Sequence, residues 1–272
     1  MAIHSIEAKS VLQKSGLPGT RYVINPYTGC VHGCVYCYAR FMKRFTAHRE
    51  PWGTFLDAKT NAAQVLKKQL DSRRKPLDER VFFSSVTDPY QPPEKRCRLT
   101  RSLLEVLLDH QVPVSILTKS DLVLRDLDLL RRIPGATVGL SFSTMDDRLA
   151  RILEPRASPP SRRIHALREL QAAGIDTWAF LSPFLPGVSD LDAQVVALEG
   201  AVGEFGVEAI NTRGGNWAGV EKALAGIDPA LPGRCKSLSR DAVFWKELEQ
   251  HARRLARKHR MKLIGFYRHG AG

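Results

Sequence analysis

Short runs of β-branched and aromatic residues alternate along the chain with longer stretches in which apolar positions recur at helical spacing. The runs Tyr22–Asn25, Val81–Ser85, Val112–Thr118, Thr137–Phe142, Thr177–Leu181 and Val207–Ile210 read as strands. Between them, Ala58–Gln69, Thr100–His110, Leu122–Arg131, Pro160–Ala173 and Asp190–Phe205 read as helices. Strands that alternate with helices run in one direction, so the pattern predicts an α/β fold with a parallel sheet covered by its crossovers. Polar residues recur where the strands end: Thr87 and Asp88, Lys119 and Ser120, Ser143 and Thr144. Functional groups sit at that end of a βα barrel, so a partial or complete barrel is expected rather than an open doubly wound sheet. From Arg213 the unit no longer repeats, although Asp241–Arg260 is again helical. The expected division is a barrel over 1–212 and a C-terminal helical extension over 213–272 that caps it.

Composition narrows the class. A chain of 272 residues with 43% hydrophobic residues can bury one large core, and it shows no repeat or low-complexity tract. The longest apolar stretch, Trp178–Val188, is about half the length of a membrane span and holds Pro183 and Pro186. Near the start, Glu7 and Lys9 stand where a signal peptide needs its apolar core. A cytoplasmic monomer with no membrane partner is expected. Lys and Arg number 41 against 28 Asp and Glu, a formal net charge of +13, which attracts polyanions and makes nucleic acid a candidate partner. The excess is dispersed, with one dense segment at 253–262, and the plain alternative is that it serves solubility.

Cysteine placement points to chemistry. Five cysteines are unevenly spread: Cys30, Cys34 and Cys37 cluster, while Cys97 and Cys235 stand alone. A disulfide framework needs distributed pairs, so the cluster reads as a ligand set. Three thiolates on one tight loop suit an iron–sulfur cluster, and Gly29 and Gly33 let the backbone wrap closely around a bulky group. In a four-iron cubane, three protein thiolates leave one iron open to a chelating small molecule that can receive an electron. The alternative is zinc with His32 as fourth ligand, but zinc sites usually gather two separated pairs of ligands and no second pair is visible.

The spacing CxxxCxxC, with Tyr36 just before the last cysteine, resembles the signature of the radical S-adenosylmethionine (SAM) superfamily. The segments NPYTGCVHGCVYCYAR (25–40), SSVTDPYQPPEKRCRLTR (84–101) and EPRASPPSRRIHALRELQAAGI (154–175) resemble its branch related to spore photoproduct lyase and DNA repair photolyase-like proteins. The likeness runs from about Lys9 to Gly187, some two-thirds of the chain.

The resemblance implies a partial (β/α)6 barrel, a [4Fe–4S] cluster on Cys30, Cys34 and Cys37, and SAM as cosubstrate, cleaved reductively to a 5′-deoxyadenosyl radical that abstracts hydrogen from substrate. By the same likeness Thr87 and Asp88 hold the SAM ammonium, Lys119 and Ser143 its carboxylate with Ser141 beside them, and Tyr36 lies near the adenine. Asp88 could instead cap a turn ahead of Pro89. Phe184–Gly187 suits an adenine wall, Tyr38 and Arg40 a shield for the cluster, and Glu154 and Pro155 a loop turn. A reductase such as flavodoxin or ferredoxin is the implied electron donor. Where spore photoproduct lyase carries a hydrogen-donating cysteine, this chain has Ser85, whose O–H is too strong to give hydrogen easily to a carbon radical. Cys97 or Cys235 would have to replace that donor, or lie inert. No cysteine group for a second cluster and no room for a cobalamin domain are present. The leading expectation is a radical enzyme acting on a nucleic-acid lesion. The alternatives are radical modification of a peptide or small metabolite, and an iron–sulfur protein without radical chemistry.

Overall fold

The computed structural model describes residues 2–212 and 215–269. Its strands are β1 (Ala2–Ile6), β2 (Leu12–Lys14), β3 (Tyr22–Ile24), β4 (Tyr27–Thr28), β5 (Phe55–Lys59), β6 (Val81–Phe83), β7 (Val114–Thr118), β8 (Thr137–Ser141), β9 (Asp176–Phe184), β10 (Glu204–Ala209) and β11 (Lys262–Tyr267). The six strands expected from the sequence are β3, β6, β7, β8, β9 and β10, and each is parallel to the next. They form the centre of an eight-stranded sheet in which β11 joins parallel to β10 and β2 joins antiparallel to β3. Among the described residues no pairing joins β2 to β11, so the barrel is partial.

Side-chain alternation assigns the two faces. In β7 the residues Val114, Ile116 and Thr118 are buried while Ser115 and Leu117 are half-buried. On the buried face, Val81, Phe83, Ile116 and Val138 pack with Leu103, Leu104 and Leu107 from helix Leu99–Asp109. Further round, Leu140, Ala179, Leu181 and Val207 pack with Leu167, Val195, Leu198 and Leu255 from three other helices. Burying each such aliphatic side chain contributes about 1.5–3 kcal/mol. The half-buried face, with Phe82, Leu117, Ser141, Trp178, Phe180, Glu208 and Ile264, lines a shared cavity. Asp146, Asp190 and Asp241 accept from first-turn amides of the helices Asp147–Leu153, Leu191–Leu198 and Ala242–Lys258, fixing where those helices begin.

Several expectations need correction. Ala58 and Lys59 belong to β5, and the helix predicted from Ala58 starts at Ala62. The helix predicted over Asp190–Phe205 ends at Leu198, because Gly200 adopts φ +70°, a left-handed conformation that stops the helix. The first half of the predicted Leu122–Arg131 helix is a 3-10 helix. The C-terminal segment, read as helical, contains helices Trp217–Ala225, Leu231–Arg240 and Ala242–Lys258, but it also supplies β11 to the sheet. Its expected boundary falls at Arg213, outside the described residues. A second, three-stranded sheet of order β1-β5-β4 was not anticipated, and β4 leads directly into the cysteine loop. No described helix is long and apolar enough to cross a membrane.

Candidate active site

The cysteine loop is shaped by glycine. Gly29 has φ +92° and a Cβ there would lie 2.8 Å from the Phe55 carbonyl oxygen, while one on Gly33 (φ +68°) would lie 2.7 Å from Arg156 Nη2. No other residue fits either position without moving its neighbours. Side chains from distant segments then fix the loop: Gln91 Oε1 accepts from Val31 N at 2.8 Å, and Thr87 Oγ1 donates to Gly29 O at 2.5 Å. Arg156 Nε donates to Val31 O, and Asn216 Nδ2 donates to Tyr36 O at 2.6 Å.

Cys30, Cys34 and Cys37 are all free thiols, the first two buried. Burial pushes the Cys30 thiol well above its ordinary pKa, Cys34 up to about 12, and Cys37 up as well. Three thiols held from water, close enough to raise one another, are a soft donor set that a metal stabilises as thiolates. His32 does not complete a zinc site: its Nδ1 lies 3.0 Å from Arg156 O and its Nε2 faces Asp88 Oδ2 at 3.3 Å. With three thiols and no fourth protein ligand among the described residues, the donor set fits a cubane with one open iron.

These thiols open into a cavity of about 380 Å³, lined also by Tyr36, Thr87, Asp88, Lys119 and Ser141. The carboxylate of Asp88 accepts from Thr118 Oγ1 (2.6 Å) and Tyr90 N (2.8 Å) on one oxygen and from Lys119 N (2.8 Å) on the other. Burial works against its ionisation, but the His32 imidazole and these donors outweigh it and bring its pKa to about 2. Asp88 is therefore a fixed negative charge whose lone pairs are largely taken by the protein, including the turn after Pro89. Lys119 Nζ reaches Ser141 Oγ at 2.6 Å and lies 5.6 Å from the centre of the Tyr36 ring.

Ser143 stands apart and does not line the cavity. Its hydroxyl donates to Glu154 Oε1 at 2.8 Å, and the same carboxylate accepts from Tyr36 OH and pairs with Arg163. Burial raises the pKa of Glu154, and Arg163 and Lys119 more than compensate, holding it below the usual carboxylate range. Glu154, expected only to shape a loop turn, is the buried hub that seats Tyr36. Ser85 lines the cavity and accepts from Asn25 Nδ2 at 3.1 Å, and Tyr38 OH donates to its carbonyl. Cys97 packs with Tyr27, Val31 and Leu56, and Cys235 is buried among Leu185, Val220 and Leu224. Neither lines the cavity.

One wall of the cavity went unrecognised in the sequence. Trp178, Phe180 and Tyr267 line it, with Glu208, which accepts from Ser182 Oγ at 2.6 Å and faces His269 Nε2 at 3.4 Å. The period-two placement of Trp178, Phe180 and Ser182 on one strand face was a readable signal. Tyr267 had none, because its strand was not recognised.

Comparison with known proteins agrees with this architecture. An uncharacterized protein of Methanocaldococcus jannaschii is 38% identical over 190 residues, covering 70% of each chain. Another from Mycobacterium tuberculosis is 31% identical over 98% of this chain and 82% of its own. The fold is shared with a spore photoproduct lyase variant solved with AdoMet and dinucleoside spore photoproduct, at a TM-score of 0.66 and 16% identity, over 98% of this chain and 82% of that one. The sequence profile of the Radical SAM superfamily matches residues 24–198. The chain belongs to that superfamily of enzymes, which use a [4Fe–4S] cluster and S-adenosylmethionine and need an electron donor.

Proposed function

We propose that this radical SAM enzyme acts on a nucleic-acid lesion, with Cys30, Cys34 and Cys37 holding the cluster. One observation carries the reading: the cavity into which the three thiols open is lined by Lys119 and Ser141 and also by Trp178, Phe180, Tyr267 and Glu208. Flat aromatic walls stack on a base, and a carboxylate accepts from its exocyclic or ring N–H groups. The net charge of +13 favours a polyanionic substrate, and spore photoproduct lyase, which shares the fold, was solved with a dinucleoside lesion.

When bound, the cluster supplies the electron that splits S-adenosylmethionine and generates the radical. Lys119 provides the cation for the cosubstrate carboxylate, with Ser141 holding the ammonium head of Lys119 in place. Asp88 contributes negative charge toward the cosubstrate ammonium, and Thr87 fixes the cysteine loop through Gly29. Tyr36, seated by Glu154, forms the wall near the adenine, and Ser143 positions it through that carboxylate. The largely apolar lining limits water around the reacting atoms. The electron donor is a flavodoxin or ferredoxin type, and the working unit is a monomer.

Ser85 supports a second reading, modification of a peptide or small metabolite. By sequence resemblance it stands where the related lyase has its hydrogen-donating cysteine; it lines the cavity, and neither Cys97 nor Cys235 does so to replace it.

The test is anaerobic reconstitution followed by reduction with S-adenosylmethionine present. About one [4Fe–4S] cluster per chain and formation of 5′-deoxyadenosine are expected. Cys30→Ala, Cys34→Ala and Cys37→Ala each lose both, while Cys97→Ala and Cys235→Ala keep the cluster. Full iron loading of the triple cysteine variant overturns the ligand assignment. Lys119→Ala keeps its iron and loses about 1.5–3 kcal/mol of S-adenosylmethionine affinity, the worth of a charged hydrogen bond. Deuterium transfer from a labelled lesion into 5′-deoxyadenosine supports the nucleic-acid reading, and transfer only from a peptide or metabolite replaces it.

A further inference from the structure

On the small sheet, away from the cavity, His4, His48 and Glu50 place one ligand atom each within 4.8 Å of one another. Strand β1 carries His4, whose register partner on β5 is Asp57, and Asp57 is only 8% exposed. Asp57 Oδ1 lies 2.8 Å from His48 Nε2. That contact occupies one ring nitrogen and turns the other, Nδ1, toward Glu50 Oε2 at 3.3 Å. The His48 ring is held flat on Phe55, with centroids 4.0 Å apart and planes 20° apart, and the His4 ring lies 5.1 Å from it.

A buried carboxylate bonded to the rear nitrogen of an imidazole, with the front nitrogen facing further donors, is the support that metal-binding histidines ordinarily have. Two imidazoles and a carboxylate, with water in the fourth position, satisfy tetrahedral zinc. In a chain of net charge +13, Glu50 and Asp57 together give this corner the negative character a cation needs. We propose that His4, His48 and Glu50 form a second metal site, separate from the cysteine loop, that takes a divalent transition cation of the zinc class and ties β1 to the segment 46–54.

The experiment uses cluster-loaded, chelator-washed protein titrated with zinc chloride against a chromophoric chelator, and in parallel with cobalt chloride. One equivalent of zinc beyond the cluster, a rise in thermal midpoint, and cobalt absorption without a thiolate charge-transfer band are expected. His4→Ala and Glu50→Gln, both at exposed positions that do not threaten folding, weaken zinc binding at least tenfold and abolish the thermal shift. Asp57→Asn weakens it by about 10–100-fold through the rear hydrogen bond. The Cys97→Ala variant binds as the parent does. Retention of full zinc affinity in the His4→Ala/Glu50→Gln double variant overturns the proposal. So does a cobalt spectrum showing thiolate ligation alone, or no zinc bound, which leaves His48 as a hydrogen-bond partner of Asp57 and Glu50 only.

Discussion

Glu154 and Arg163 each have a side chain only 1% exposed, and each is the other's charge partner. Removing one side of such a pair strands a charge away from water, at a cost of about 3–5 kcal/mol, whereas replacing both by groups of similar volume costs far less. Glu154→Gln and Arg163→Met are each expected to destabilise the cluster-loaded protein strongly, with the double variant recovering much of the loss in anaerobic denaturant unfolding. Simple addition of the two losses would show that the pair is not coupled. At this scale the cysteine cluster proposed to hold the iron was legible because its spacing is local. Glu154 was not, because its partners Arg163, Ser143 and Tyr36 lie 9, 11 and 118 residues away and only the fold brings them together.

Strands facing the cavity use glycine on one strand to make room for an aromatic on the next. Gly139 on β8 is the register partner of Trp178 on β9, and a Cβ on Gly139 would lie 2.3 Å from Trp178 Cε2. Gly206 on β10 similarly underlies Phe180, at 3.1 Å. Gly139→Ala is expected to displace the indole into the cavity, costing about 1–3 kcal/mol as overpacking does and weakening S-adenosylmethionine binding. Equilibrium unfolding and a ligand titration followed by tryptophan emission check both. The six central strands were legible from their β-branched and aromatic runs. Strand β11 was not, since its residues are half-buried or exposed and show no alternation. Strands β1, β4 and β5 went unread for a different reason: they pair in a separate small sheet, outside the strand–helix rhythm that revealed the others.

For the whole molecule, the charge excess bears on the proposed nucleic-acid partner. In helix Ala242–Lys258, Arg253, Arg254, Arg257 and Lys258 are exposed while Ala252, Leu255 and Ala256 are buried, so the helical part of the dense basic segment, 253–258, is a solvated face. Duplex DNA affinity is expected to fall with salt at a log–log slope of roughly −4 to −5, each neutralised phosphate contributing about −0.9. Arg254→Ala and Arg257→Ala should each lower that slope by about one. A slope no steeper than that of an unrelated basic protein favours the peptide or metabolite reading. The partial barrel was legible from the strand–helix rhythm, but the closing of the cysteine loop by the C-terminal segment was not. Asn216 reaches back 180 residues to Tyr36 O, and Gly219 lies so near that a Cβ on it would be 3.1 Å from Val35 O. At about 5–20 residues per second, the ribosome delivers the thiols roughly 10–35 seconds before the helix that covers them. Under the proposed ligand assignment, iron that arrives early meets an open loop, and iron that arrives late meets one already covered by that helix.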